Sequence, residues 1–300
     1  MKTGEAEHWL REQLMDVYDA RERSTIAAWI MEKVTGLQRV DRLTQREVPL
    51  HVDQLHRLTA IVQRMQMHEP VQYVLGEAYF HDLRLYVDKN VLIPRPETEE
   101  LVEWIISDVK ASGKAVLPDA PTEAGKTRSL KILDVGTGSG CIALALKKSI
   151  AKAEVWGCDI SEEALNVARR NGAALDVRVD FQQTNILDPE QWNSLPLFDI
   201  IVSNPPYIAK QEQGTMQPNV VAHEPHTALF VPNENPLLFY ETLVHFGIKK
   251  LHTGGALYAE IHENRGNDML QLFQNVMYTN VQLRKDMQGK DRMVKAVKCS

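Results

Sequence analysis

The sequence predicts an α/β protein in which a mostly parallel sheet, covered by helices, follows an N-terminal helical bundle. Three observations predict it. Apolar residues recur at three- and four-residue steps through the first 74 positions. A short alternating segment follows at 77–93, where Tyr79, Phe80, Leu83, Leu85 and Val87 flank His81-Asp82. From Leu130 onward, short apolar runs alternate with helix-length segments, the pattern of a parallel sheet covered on both faces. The domain plan is a helical domain over 1–74, a β-hairpin linker over 75–93 and an α/β domain over 94–300.

Trp9, Leu10, Leu14 and Val17 mark a first helix, and Ile26, Trp29, Ile30 and Val34 a second that Gly36 closes. Leu55, Leu58, Ile61, Val62 and Met65 form the apolar face of a third, over 52–67. This stretch holds no cluster of catalytic residue types. Pro94 and Pro96 flank Arg95, and a helix then runs from about Thr98 through Ile106. Residues 111–129, rich in Pro, Gly, Ala and Lys without periodicity, read as an exposed, mobile loop.

Strands are expected at 131–135, 154–158, 177–182, 198–203 and 256–261. Helices are expected at 141–149, from a Ser161 cap to Ala174, at 235–251 and at 264–276. Segments 281–285 and 293–297 would close the chain as a strand pair.

With 44% hydrophobic and 25% charged residues, composition is that of a soluble globular protein, and 300 residues suit one large domain plus a smaller one. A net charge of -6 offers no strong basic field for a polyanion, which argues against direct nucleic-acid binding without excluding a local basic patch. Cys141, Cys158 and Cys299 are odd in number and lack CxxC spacing, so they predict neither a disulfide framework nor a metal site. The polar N-terminus, with Glu5 and Glu7, does not read as a secretory signal, and no apolar run reaches the roughly 18 residues of a membrane span. The expectation is a cytoplasmic protein, or a mitochondrial one in a eukaryote, without a membrane partner.

Asp134-Val135-Gly136-Thr137-Gly138-Ser139-Gly140 follows a strand and opens a helix. Glycines there permit positive φ and close approach of a ligand to the backbone, beyond the C-terminal strand ends where open α/β sheets bind ligands. No Gly-Lys-Ser/Thr follows, so it is not a phosphate loop. Asp159 ends the next strand, 19 residues after Gly140, where a carboxylate can accept both hydroxyls of a ribose. These features predict a nucleoside-type cofactor without choosing between NAD and S-adenosylmethionine.

Ser203-Asn204-Pro205-Pro206-Tyr207 makes that choice. Two prolines end the strand and stiffen the loop, and Asn204, preceding one, is pushed to extended backbone. The Asn204 side-chain oxygen and the Pro205 carbonyl can then converge on one NH2 group attached to a planar carbon. Such a nitrogen is a poor nucleophile because its lone pair is delocalised. Two acceptors gripping its hydrogens would hold it in place and aim the lone pair at a sulfonium methyl. Tyr207 offers a flat face for the planar group.

At this point the residues resemble a known family. Asn204 to Tyr207 looks like the motif of class I methyltransferases that modify amide or exocyclic amino nitrogens. Pro70-Val-Gln-Tyr-Val-Leu-Gly76-Glu-Ala-Tyr-Phe80 and Val91-Leu-Ile-Pro94-Arg-Pro-Glu97-Thr-Glu99 are similar to the signature of release factor glutamine methyltransferases. His223-Glu224-Pro225, Ala228-Leu229-Phe230 and Gly289-Lys290-Asp291-Arg292 match segments further along that family.

The resemblance implies a Rossmann-like class I S-adenosylmethionine methyltransferase fold and methyl transfer to the glutamine side chain in the Gly-Gly-Gln motif of peptide chain release factors. It implies S-adenosyl-L-methionine at Gly136, Thr137, Gly138, Ser139, Gly140 and Asp159, with Asn185 or Ile186 near the adenine and Asn204 beside the methyl donor. Asn204, Pro205, Pro206 and Tyr207 form the substrate loop, of which Asn204, Pro205 and Tyr207 are the catalytic candidates. Arg95, Pro96 and Glu97 line the pocket, with a structural ion pair as the alternative role for Arg95 or Glu97. The helical N-terminus fits a substrate-recognition bundle.

Two other methyltransferases share the loop. A DNA adenine methyltransferase uses it on a flipped base, but would carry a basic, aromatic recognition region; here the N-terminal segment holds Glu5, Glu7, Glu12, Asp16 and Asp19. A ribosomal-protein glutamine methyltransferase differs chiefly in that N-terminal segment. A non-catalytic relative would have lost Asn204 or a loop glycine, and both are present.

Overall fold

The computed structural model describes residues 1–112, 116–117, 128–274 and 276–299. These form two compact units, Met1–Glu77 with Met216–His223, and Ala78–Thr215 with Glu224–Ser300.

In the first unit, helices Thr3–Gln13, Ala20–Thr35 and Val52–Gln66 bury the stripes their periodicity marked, packing Leu10, Leu14, Ile30, Met31, Leu58 and Met65 together. Asp19 caps the second helix by accepting from the backbone N–H groups of Arg21 and Glu22, and Gly36, at φ 73, ends it. Two shorter helices, Arg39–Thr44 and Val71–Leu75, had too few turns to show a period. Glu77 is buried but satisfied: it accepts the Trp29 indole N–H at 2.7 Å and pairs with Lys33 at 2.5 Å.

The second unit opens with the expected hairpin, Ala78–Phe80 against Leu83–Leu85. His81 and Asp82 turn it with φ of 47° and 61°, the left-handed pair that a two-residue hairpin loop needs. Of the segment read as an exposed loop, 113–115 and 118–127 lie outside the described residues, and Val116–Leu117 pairs with Arg128–Ser129.

Seven strands follow in one sheet: β1 (Lys131–Val135), β2 (Glu154–Asp159), β3 (Asp180–Gln183), β4 (Phe198–Ser203), β5 (Leu251–Glu260), β6 (Tyr278–Lys285) and β7 (Asp291–Lys298). Their order is β6-β7-β5-β4-β1-β2-β3, and β7 alone runs antiparallel to its neighbours. β4, at the centre, is buried at every position, as a strand covered on both faces must be. Side-chain alternation sends Ile132, Ile200 and Val202 to one core, with Leu101, Trp104 and Leu144. It sends Leu133 and Ile201 to the other, with Tyr240, Phe246 and Phe273.

The chain winds outward from β1 to β3 and then crosses back to β4. Strand order thus reverses between β1 and β4, and this opens a crevice beyond their carboxyl ends. The glycine loop and the Asn-Pro-Pro-Tyr loop leave from those two ends. Boundaries shift where loops intervene: β3 starts at Asp180, and the helix expected from 235 starts at Leu238, past Pro236.

Candidate active site

Beyond β1, Gly136, Gly138 and Gly140 have φ of 70°, 53° and 81°, a backbone no other residue adopts cheaply. The loop is stitched to the end of β2. Gly136 and Thr137 both donate backbone N–H groups to the Cys158 carbonyl, at 2.8 and 3.0 Å, and Gly138 donates to Asp159 Oδ2 at 2.9 Å. A Cβ on Gly136 or Gly138 would meet nothing within 4 Å, so the outer side of this loop is open. A Cβ on Gly140 would press on Ala168 at 3.1 Å, and one on Gly157 on Phe181 at 2.8 Å. Those two glycines serve packing against the sheet.

Asp134 lies beneath the loop, fully buried. Its Oδ2 accepts from the Thr137 hydroxyl at 2.6 Å and from the Ala143 N–H at 3.3 Å, while its Oδ1 has no partner among the described residues. Burial pushes its carboxyl up to about 7, against the opposing pull of those two donors. Thr184 Oγ1, just past β3, is likewise buried without a partner among the described residues. Burial also raises Asp159, whose Oδ1 and Oδ2 accept from Ser161 N and Gly138 N. The Ile160 N–H also favours its charge, and the two oxygens hold lone-pair capacity beyond these three donors. Left-handed glycines with an open face, a carboxylate with an unused buried oxygen and a second carboxylate at the strand end fit a ligand carrying a cation and a diol.

At the end of β4 the Ser203 hydroxyl donates to the Val135 carbonyl at 2.7 Å, tying the two loops at their roots. Asn204 follows in a hydrogen-bonded chain. Its Nδ2 donates to Thr98 Oγ1 at 3.1 Å, Thr98 donates to Glu260 Oε2 at 2.6 Å, and Tyr207 donates its phenol to Glu260 Oε1 at 3.0 Å. Glu260 is buried, and burial raises its carboxyl above the ordinary glutamate range. Burial also raises the Tyr207 phenol, which stays a neutral donor. The Tyr207 ring stands edge-on to His262, with centroids 5.9 Å apart, and Ile208–Ala209 pairs in parallel with Phe230–Val231. Pro205 is buried, whereas Asn204, Pro206 and Tyr207 are half-buried.

Arg95 makes an ion pair: its guanidinium reaches Glu224 Oε1 at 2.6 Å, and Ile93 N donates to Glu224 Oε2 at 3.3 Å. Glu224 is buried, which accounts for the His-Glu-Pro segment noted in the sequence. Glu97 sits half-buried in the first turn of helix Pro96–Ala111, where its charge helps raise Glu260. Past β3, Asn185 turns the chain, accepting from Leu187 N and donating its own N–H to Gln191. The Ile186 side chain is packed in the core with Leu133 and Cys158, and its carbonyl accepts the Trp192 indole at 2.9 Å.

Asn204 and Tyr207 are thus brought together through Thr98 and Glu260. Sequence reading missed Thr98, Glu260 and the unused oxygen of Asp134. Glu260 carried a signal, being an acid that ends an otherwise apolar strand. Thr98 lay inside the Pro-Glu-Thr-Glu run but looked like a helix-start residue.

Known proteins match along most of the chain. Residues 5–76 match the family described as PrmC N-terminal domain, and residues 113–227 the Methyltransferase small domain. The release factor glutamine methyltransferase of Flavobacterium psychrophilum is 39% identical over 94% of this chain and 94% of its own. That of Bacteroides thetaiotaomicron is 38% identical over 96% and 97%. Among solved structures, the hMettl16 catalytic domain in complex with MAT2A 3'UTR hairpin 6 aligns with a TM-score of 0.54 at 14% identity, covering 83% of this chain and 82% of that one. At that identity the likeness is one of fold, the class I methyltransferase α/β sheet. Sequence motifs, fold and relatives agree: the chain is a methyltransferase and belongs to the release factor glutamine methyltransferase family.

Proposed function

We propose that the protein transfers a methyl group from S-adenosyl-L-methionine to the side-chain amide nitrogen of the glutamine in the Gly-Gly-Gln motif of peptide chain release factors. The observation that carries this reading is the tether on Asn204. Its Nδ2 is committed to Thr98, so its Oδ1 is the end left for a ligand. An oxygen on a loop stiffened by two prolines is an acceptor, and the partner an acceptor wants is an N–H of a planar amide. Family membership directs the choice of amide toward the release factor glutamine.

Each part of the site has a task in this reading. S-adenosylmethionine, when bound, supplies an electrophilic methyl on a sulfonium. Asp134 Oδ1 would hold its ammonium group and Asp159 its ribose hydroxyls, with the glycine loop from Gly136 to Gly140 presenting open backbone to it at Gly136 and Gly138. Asn185 and Ile186 would hold the adenine, Ile186 through its backbone since its side chain is in the core. Asn204 Oδ1 and the Pro205 carbonyl accept the two amide hydrogens of the substrate, holding the nitrogen so that its lone pair leaves the plane of the carboxamide. Positioning of this kind is worth several kcal/mol of barrier. Tyr207, anchored through its phenol to Glu260, packs its ring on the amide. No strong base is required, because the methylated nitrogen sheds its proton readily.

Arg95 serves the pocket by fixing its wall through Glu224, and Pro206 and Glu97 line it. Residues 1–74 form the substrate-recognition bundle. The reading is tested by incubating the enzyme with purified release factor and a methyl-labelled donor, then mapping the label by peptide mass spectrometry. Label on the Gly-Gly-Gln glutamine supports it; label on ribosomal protein or DNA reassigns the substrate.

A further inference from the structure

Glu260 has both carboxylate oxygens engaged: Thr98 donates to Oε2 and Tyr207 to Oε1. Thr98 has one hydroxyl proton, and Glu260 takes it. Its oxygen therefore faces Asn204 as an acceptor only, and the atom of Asn204 that meets it is Nδ2. The two ends of a carboxamide are nearly the same size, so shape does not tell them apart; only the polarity of the neighbour does.

We infer that Glu260, acting through Thr98, is a positioning residue that sets which way round the Asn204 carboxamide lies, so that Asn204 offers its oxygen to the methyl-accepting group. This rests on the reading of Asn204 as acceptor for the substrate amide. The consequence of losing the polarity is specific. With a proton on Glu260 Oε2, Glu260 becomes the donor and the Thr98 hydroxyl is freed to donate to Asn204. Asn204 would then have to turn its oxygen toward Thr98 and its NH2 toward the substrate. A donor would face a donor, and a mispaired group of this kind opposes binding of the substrate amide.

The groups around Glu260 decide where that happens. Burial opposes its charge and is the largest influence; Thr98, Tyr207 and Arg292 of β7 favour the charge, and Glu97 opposes it. Tyr240, from helix Leu238–Lys250, and Cys141, at the start of the next glycine-loop helix, are further titratable neighbours. The net direction is upward, so reversal sets in at a higher pH than an ordinary glutamate would give.

Three variants separate this from packing. Thr98→Val keeps the shape and removes the polarity; Thr98→Ser does the reverse. Glu260→Gln leaves one acceptor for two donors. With release factor as substrate, Thr98→Val is expected to lower kcat about tenfold or more, and Thr98→Ser to stay within about threefold. The calorimetric Kd for S-adenosylmethionine should stay within about twofold in both. The acid limb of kcat in the wild type should vanish in Thr98→Val.

A substrate-free reading uses the side-chain NH2 resonances of Asn204, identified by their loss in Asn204→Ala. These should shift with falling pH in the wild type and lose that response in Thr98→Val and Glu260→Gln. Wild-type kcat in Thr98→Val with a loss in Thr98→Ser overturns the inference, as do Asn204 resonances indifferent to Glu260→Gln. If the wild type methylates no release factor, the functional reading falls, and the Asn204 resonances still decide this one.

Discussion

The backbone N–H of Gly138 donates to Asp159 Oδ2 across 2.9 Å, locking the glycine loop after β1 to the acid that ends β2. One carboxylate therefore shapes the loop, and in the proposed reading it also binds the cofactor ribose. Asp159→Ala loses both. It should weaken S-adenosylmethionine binding by about 10- to 100-fold in calorimetry and lower unfolding stability by about 1 kcal/mol, since the half-buried Gly138 N–H loses its acceptor. Unchanged affinity would remove Asp159 from the cofactor site.

Asp134 gives a pH dependence with a definite sign. Its folded value, about 7, lies above the 3.8 of a free aspartate, so the folded state holds the proton more tightly than the unfolded one. The stability this provides is complete below the unfolded value and is lost as pH rises through the folded one. Asp134→Asn removes that loss, so the variant's Tm should gain on the wild type between pH 4 and 7. Cofactor affinity should run the other way. An ammonium prefers the ionised carboxylate, so wild-type affinity should rise close to tenfold between about pH 6 and 7.5, and stay flat in Asp134→Asn. Parallel Tm profiles for the two proteins would contradict the burial of this charge.

Much of this was legible in the sequence, and the exceptions have a common cause. Elements with several periods of an apolar stripe, such as Val52–Gln66 or β4, declared themselves, and so did glycine and proline loops whose backbone demands are local. The short helices Arg39–Thr44 and Val71–Leu75 span too few turns for a period. Thr98, Asn204 and Glu260 meet only after three distant segments have folded, with Thr98 106 positions from Asn204 and 162 positions from Glu260. No local pattern encodes such a contact. The Ile186 side chain, expected near the adenine, belongs to the core, because in a loop after an edge strand one residue in sequence can face either way.

Gly247 lies inside helix Leu238–Lys250, where alanine would ordinarily gain about 1 kcal/mol. Here a Cβ would fall 2.1 Å from the Tyr278 hydroxyl, which donates to the Val244 carbonyl at 3.0 Å. Gly247→Ala should therefore destabilise by about 1–3 kcal/mol, as overpacked cores do. Gly247→Ala combined with Tyr278→Phe should recover part of the loss. A rise in Tm for the single variant would refute the steric account.

The Arg95–Glu224 pair predicts an asymmetry. Among the described residues, Arg95→Ala leaves a buried carboxylate with only the Ile93 N–H, and should cost about 3 kcal/mol in urea unfolding. The double variant Arg95→Met with Glu224→Leu should cost less than Arg95→Ala alone. Additive losses would show that the two side chains act independently.

The most direct measurement is single-turnover methyl transfer to release factor by wild type and Asn204→Ala, with label mapped by mass spectrometry and donor binding followed by calorimetry. Wild type should place one methyl on the Gly-Gly-Gln glutamine, and Asn204→Ala should bind the donor yet transfer at least about 100-fold more slowly. Transfer by Asn204→Ala at the wild-type rate, or label on any other residue, would contradict the account.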